Sequence, residues 1–243
     1  MKSNTYINSP RREFLHAAAA TAALSSLPFA AHAQAKMKIG IIGSGRVGGA
    51  VGGAWVKAGH EVMFSSLNLD DDKKLAASLG GGARAGTPRE AAAFGSVLLV
   101  SVPYKALPSV GKDLGELLKG KIVIDTSNPI VARDGDMAVA AREKGAGQSS
   151  MEFLPGARIV RAFNAVGYAK MAEAASKKEG YGMPIAGDDQ AAIATASSLI
   201  RDVGYEPVLV GNLATMGKYL IPGTPLAGEH KPEQIRQISA TLK

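Results

Sequence analysis

The chain has no cysteine. Disulfides, thiol nucleophiles and thiolate metal sites are therefore excluded. Histidine is nearly as scarce: His16 and His32 fall in the first 33 residues, leaving His60 and His230 far apart, so no metal site is expected. Aromatic residues make up 5% of the chain, with one Trp, and no dense Lys/Arg run is present. Nucleic acid is thus not an expected partner, because neither stacking platforms nor a basic stripe exists. No apolar run approaches the roughly 18 residues that a membrane span needs. What the chain does have is glycine, 29 of 243 residues, and a hydrophobic fraction of 46%, enough for a substantial core with close helix–sheet packing. Its net charge is +7; Lys2, Arg11 and Arg12 against Glu13 account for part, leaving +5 after residue 33. A modestly basic surface suits an anionic cofactor.

Residues 1–33 read as a targeting segment. Ser9-Pro10-Arg11-Arg12-Glu13-Phe14-Leu15 precedes a weakly apolar run from Ala17 to Leu27, and Ala31-His32-Ala33 supplies small residues for cleavage. The order resembles a twin-arginine (Tat) export signal. It implies the Tat machinery as a partner, cleavage near Ala33, a periplasmic location and no permanent membrane anchor.

The mature domain, 34–243, is expected to be α/β: a doubly wound, mostly parallel sheet of the Rossmann type, with C-terminal helices from about residue 212. Strands are predicted over 37–42, 61–65, 96–102, 121–125, 158–163, 182–186 and 205–210. Helices are predicted over 46–58, 70–79, 104–118, 190–203 and 231–242, with a capping box at Thr87-Pro88-Arg89-Glu90. Alternation of this kind favours parallel strands joined by crossover helices.

The most informative motif is Gly43-Ser44-Gly45-Arg46-Val47-Gly48, between the first strand and the first helix of a β-α-β unit. In that context Gly43 permits a tight turn, Gly45 lets backbone approach a pyrophosphate, and Gly48 allows helix and strand to pack. The helix N-terminus adds free N–H groups and partial positive charge. The second strand ends Ser65-Ser66-Leu67-Asn68, with no carboxylate before Asp70. Hydroxyls suit a ribose 2′-phosphate where a carboxylate would repel it, and Arg46 adds charge, so NADP is favoured over NAD. Ser101-Val102-Pro103-Tyr104, Asn128 and Phe163-Asn164 terminate strands on the same edge and are candidates for the nicotinamide and acceptor pocket. No acid–base set stands out, which suits hydride exchange between two redox rings.

These pieces together resemble the NADP-dependent oxidoreductases that use the deazaflavin coenzyme F-420. The resemblance runs from about Met37 to Ala227 and rests on Lys38–Gly48, Gly59–Val62, Ser101–Tyr104, Lys121–Asp125, Arg161–Asn164 and Ile185–Asp189. It implies hydride transfer between NADPH and a deazaflavin or flavin-like acceptor. It assigns Ser44 and Ser66 to the 2′-phosphate, and Pro103 and Tyr104 to the nicotinamide. Leu67 stands where the family has Arg, and Asn164 where characterised members have His. A homodimer is also implied, through a helix matching Met216–Leu226 that Pro222, Gly223 and Pro225 interrupt. Two other readings follow from the residues: a reductase of a small imine or carbonyl, similar to pyrroline-carboxylate reductases, and a non-catalytic dinucleotide-binding protein.

Overall fold

The computed structural model describes Met1, residues 36–177 and residues 179–242. The expected leader, its twin arginines and the Ala33 cleavage site lie outside the described residues. From Lys36 onward the chain forms one compact unit. Among the described residues, no helix is long and apolar enough to cross a membrane.

The first half alternates strictly. β1 (Lys38–Ile42) leads into α1 (Arg46–Lys57), β2 (Glu61–Ser65), α2 (Leu69–Leu79), β3 (Ala83–Ala85), α3 (Pro88–Phe94) and β4 (Val97–Val100). The second half is less regular. A 3-10 turn (Tyr104–Ala106) and α4 (Leu107–Leu118) precede β5 (Ile122–Asp125). Three short helices follow: α5 (Val131–Asp134), α6 (Asp136–Lys144) and α7 (Ala146–Phe153). β6 (Arg158–Arg161), α8 (Tyr168–Lys177), β7 (Gly182–Gly187), α9 (Gln190–Val203), β8 (Glu206–Gly211), α10 (Leu213–Met216) and α11 (Pro232–Thr241) complete the chain.

The eight strands form one sheet in the order β3-β2-β1-β4-β5-β6-β7-β8. Every pairing is parallel except β6–β7, joined through Val160↔Gly187 and Arg161↔Ala186. The mostly parallel, doubly wound reading therefore holds. β3 was not predicted, because three residues after a triple glycine give no period to detect. The helices of 131–153 were not predicted either; α6 has almost no amphipathic pattern, so its sequence carries little helical signal. Pro108 does not break α4: it sits in the first turn, where its missing N–H costs nothing.

Alternation along the strands divides the core into two layers. Ile39 and Ile41 of β1, with Val97 and Leu99 of β4, face α1 and α9 through Val51, Trp55, Ala196 and Leu199. Ile42, Leu98 and Val100 face the other way, onto Ala91, Leu107 and Leu118. The Trp55 indole N–H donates to the Leu199 carbonyl at 2.8 Å, tying α1 to α9 inside the first layer. His60 is a structural clamp: its Nδ1 accepts the Met37 N–H at 3.1 Å, leaving Nε2 to face Asp202 at 2.9 Å. The C-terminal segment is more than an appendage. Ile235 of α11 is fully buried in the second layer, and the Gly182 N–H donates to the His230 carbonyl at 2.8 Å.

Candidate functional site

The parallel strands place their carboxyl ends on one edge, and backbone bonds step across it. The Ser101 N–H donates to the Ile42 carbonyl at 2.8 Å, Thr126 N–H to Val100 at 2.9 Å, and Ala162 N–H to Asp125 at 3.4 Å. Glycine, serine and asparagine segments predicted separately are thereby gathered along one rim, where open α/β sheets bind ligands.

At the centre of that rim is the glycine loop. The Gly43 and Ser44 N–H groups both donate to the Ser65 carbonyl, at 2.9 and 3.0 Å, which turns the chain sharply between β1 and α1. Gly43 has φ +99°, and a Cβ there would fall 2.4 Å from the Ser101 carbonyl oxygen. A Cβ at Gly48 would fall 2.1 Å from the Gly43 carbonyl oxygen. Both positions demand glycine for packing alone. Gly45 differs. It has an ordinary φ of −66°, and a Cβ there would meet nothing within 4 Å. The surface is thus open at the N-terminus of α1, where backbone N–H groups lack helical partners and the helix end carries partial positive charge. Val47, half-buried behind Arg46, packs into the first core layer, so its side chain supports the loop.

The ribose side departs from expectation in two places. Ser65 is fully buried, and its hydroxyl donates to the Ile41 carbonyl at 2.6 Å. It therefore faces β1 and not a 2′-phosphate. Ser44 and Ser66 do come together, around the carboxylate of Asp72. Ser44 Oγ donates to Asp72 Oδ1, and Ser66 Oγ to Asp72 Oδ2 at 2.9 Å. Asp72 lies in the first turn of α2 and is 2% exposed. Leu67 is fully exposed, and the Arg46 guanidinium lies 5.4 Å from the centre of the Tyr168 ring.

On the nicotinamide side, Val102 abuts the glycine loop, its Cγ1 3.0 Å from the position of a Gly43 Cβ, and Pro103 is exposed beside it. Ser101 contributes its backbone to the same junction. Tyr104 does not line this pocket. It is fully buried, its hydroxyl donates to the Ala146 carbonyl at 2.8 Å, and its ring meets Phe153 edge-on at 6.1 Å. Burial pushes that hydroxyl above its ordinary pKa, against the opposing pull of the Ser150 hydroxyl, so it is a poor proton donor. Phe163 likewise points inward, edge-on to Trp55 at 6.3 Å. Its role is in the backbone: at φ +64° it is the one non-glycine residue with positive φ among those described. Such a conformation costs on the order of 1–3 kcal/mol and persists only where its surroundings impose it. The turn it makes presents the Asn164 carbonyl to Asn128 Nδ2 at 2.8 Å.

Beneath Asn128 and Asn164 lies a buried polar centre that the sequence did not single out. Asp125 accepts the Ser127 N–H at 2.8 Å, the Ser150 hydroxyl at 2.7 Å, and a guanidinium N–H of Arg161. Arg161 also donates to the Ser127 carbonyl at 3.0 Å and the Leu220 carbonyl at 3.2 Å. Both members of the ion pair are fully buried. The pair ties three segments into one rim. In the same cluster, Ser127 Oγ, Asn128 Oδ1, Asn164 Oδ1 and Arg161 Nε are buried without protein partners.

Residues 38–129 match the family described as NADP oxidoreductase, coenzyme F420-dependent. The match runs from β1 through the Asn128 turn, under half of the chain. Metalloreductase STEAP3 of Rattus norvegicus is 30% identical over 185 residues, covering 73% of the chain but 34% of the relative. The chain thus spans about a third of the length of the curated relative it matches. Among solved structures, a hypothetical protein from Sinorhizobium meliloti superposes with a TM-score of 0.71 at 24% identity, covering 82% of this chain and 97% of that one. A candidate F420-dependent NADP reductase from Arthrobacter gives a TM-score of 0.60 at 21% identity, covering 73% and 86%. Likenesses at that identity establish the fold.

Proposed function

We propose that the protein transfers hydride between a nicotinamide dinucleotide and a flavin-like or deazaflavin (F-420) acceptor. The observation that carries this reading is the open space at Gly45, beside a Gly43 and a Gly48 that packing alone explains. When bound, the nicotinamide supplies a hydride at C4, and the acceptor ring takes it up with its electron pair. The chain's own part is positioning. Backbone N–H groups at the start of α1 hold the pyrophosphate, and Val102 and Pro103 form the wall between glycine loop and ring. Ser127, Asn128 and Asn164 accept ring or carboxamide N–H groups.

The description of the matched family names NADP and coenzyme F420, which supports a nicotinamide dinucleotide and a deazaflavin as the reacting pair. The imine or carbonyl reductase reading is less favoured, because such a step needs a proton delivered at the rim. The only carboxylate at the end of β5, Asp125, is tied to Arg161, and Tyr104 is turned inward. Export by the leader and pairing into a homodimer are further parts of the proposal, to be checked by cell fractionation and by sedimentation of the mature chain. The deciding experiment mixes the purified protein with NADPH or NADH and a deazaflavin or flavin, following nicotinamide absorbance. Acceptor-dependent oxidation is expected; tight dinucleotide binding with no turnover on any acceptor would favour a non-catalytic binding protein.

A further inference from the structure

We propose that Asp72 sets which dinucleotide the ribose end accepts, by turning the Ser44 and Ser66 hydroxyls into acceptors. The proposal rests on the dinucleotide reading of the glycine loop. A serine hydroxyl has one proton to give and two lone pairs to offer. The two oxygens of Asp72 take two different protons, Oδ1 that of Ser44 and Oδ2 that of Ser66. Ser66 has a rival acceptor, the Asn68 carbonyl, but that oxygen is farther at 3.2 Å and uncharged. The charge-assisted bond to Asp72, at 2.9 Å, is the stronger of the two. The Asn68 N–H then donates to Ser66 Oγ at 3.1 Å, occupying one lone pair. What both serines have left for a ligand is acceptor capacity. A ribose 2′-hydroxyl has a proton to give and matches it; a 2′-phosphate needs donors and does not.

Charge acts in the same direction. Asp72 is 2% exposed, so its repulsion of a nearby phosphate is less screened than at an open surface. The neighbourhood offers little to offset it. Leu67 carries no charge. Lys73 and Lys74 are engaged by Asp70 and Asp71 along the exposed face of α2. Arg46 rests on the Tyr168 ring. A hydroxyl serves a phosphate as a donor only while its proton is free. Asp72 supplies, from the first turn of a helix, the carboxylate that NAD-binding Rossmann domains usually carry at the end of the second strand. NADH is therefore bound at least as tightly as NADPH.

The test measures binding without turnover, so it is independent of the acceptor. Isothermal calorimetry compares ADP-ribose with 2′-phospho-ADP-ribose on wild type, Asp72→Asn and Leu67→Arg. Wild type is expected to bind ADP-ribose at least as tightly. Asp72→Asn, which removes the charge and frees the proton of the serine that comes to face the amide NH2, is expected to move the affinity ratio toward the phosphorylated ligand by about tenfold or more. Leu67→Arg, with Asp72 intact, is expected to move it by less, and it keeps the proposal testable if Asp72→Asn fails a thermal-melting check. Tighter binding of the 2′-phosphorylated ligand by wild type overturns the proposal. An unchanged ratio in a folded Asp72→Asn overturns it too, as does a Leu67→Arg shift equal to or larger than that of Asp72→Asn. Failure of wild type to bind either ligand overturns instead the dinucleotide reading beneath it.

Discussion

The two ends of the ligand rim are built by opposite means. The phosphate end depends on side chains that are missing: Gly43 and Gly48 let backbone touch backbone, and Gly45 leaves space outside. The Asn128 end depends on buried charged side chains, with Arg161 and Asp125 fully enclosed and tying Ser127, Ser150 and Leu220 together. At Gly43 and Gly48 such a loop has no room for an added Cβ. A buried ion pair tolerates no subtraction, because removing one charge strands the other.

That contrast can be broken by substitution. Arg161→Leu leaves the Asp125 carboxylate buried and unpaired, and should lower unfolding free energy by about 3–5 kcal/mol in a urea titration. A loss below about 1 kcal/mol would mean that water or a shifted loop replaces the guanidinium. Gly48→Ala forces a Cβ to within 2.1 Å of the Gly43 carbonyl unless α1 moves, and should cost about 1–3 kcal/mol by the same measurement. Asn128→Ala leaves the Asn164 carbonyl without its side-chain donor, and should cost about 1 kcal/mol. Gly45→Ala sharpens the comparison most. Its stability should stay within about 0.5 kcal/mol of wild type, while dinucleotide affinity falls about tenfold. Equal destabilisation by Gly45→Ala and Gly48→Ala would end the claim that the two glycines serve different ends. At the opposite edge of the sheet, the Arg158 guanidinium and the Ala192 N–H hold the Asp189 carboxyl well below the usual carboxylate range. A depressed folded-state pKa contributes stability above the unfolded value and loses it as pH falls. The melting-temperature gap between wild type and Asp189→Asn should therefore be full at neutral pH and narrow as pH drops below about 4.

The sequence was most legible where backbone geometry restricts the choice of residue. Gly43-x-Gly45-x-x-Gly48 between a strand and a helix announces its own turn, and the Thr87-Glu90 capping box was readable residue by residue. It was least legible where a side chain at a strand end can turn either way. Ser65, Tyr104 and Phe163 were placed on the correct rim, yet their side chains face the interior. Position along the chain fixes which edge a residue reaches; local φ and the neighbouring layer fix its direction. Asp72 was missed although a signal existed. Counting by helical period, 72, 75, 76 and 79 share one face of α2, and its apolar members pack toward the sheet. A carboxylate on that face could not point to solvent as Asp70 and Asp71 do. The Asp125–Arg161 pair had no such signal, since its partners lie 36 residues apart on adjacent strands.

The reversal at β6–β7 has a consequence for the shape of the cleft. β7 begins near the rim on which β1, β4, β5 and β6 finish, so the far wall is made by chain arriving at the sheet and not by chain leaving it. The last stretch before α11 supplies that wall: the Gly228 N–H donates to the Ala165 carbonyl at 2.8 Å, and the His230 carbonyl receives the Gly182 N–H. The same short stretch is thus bonded both to the turn after β6 and to the start of β7. A change in residues 228–230 would therefore be felt at this end of the sheet and not at the glycine loop between β1 and α1.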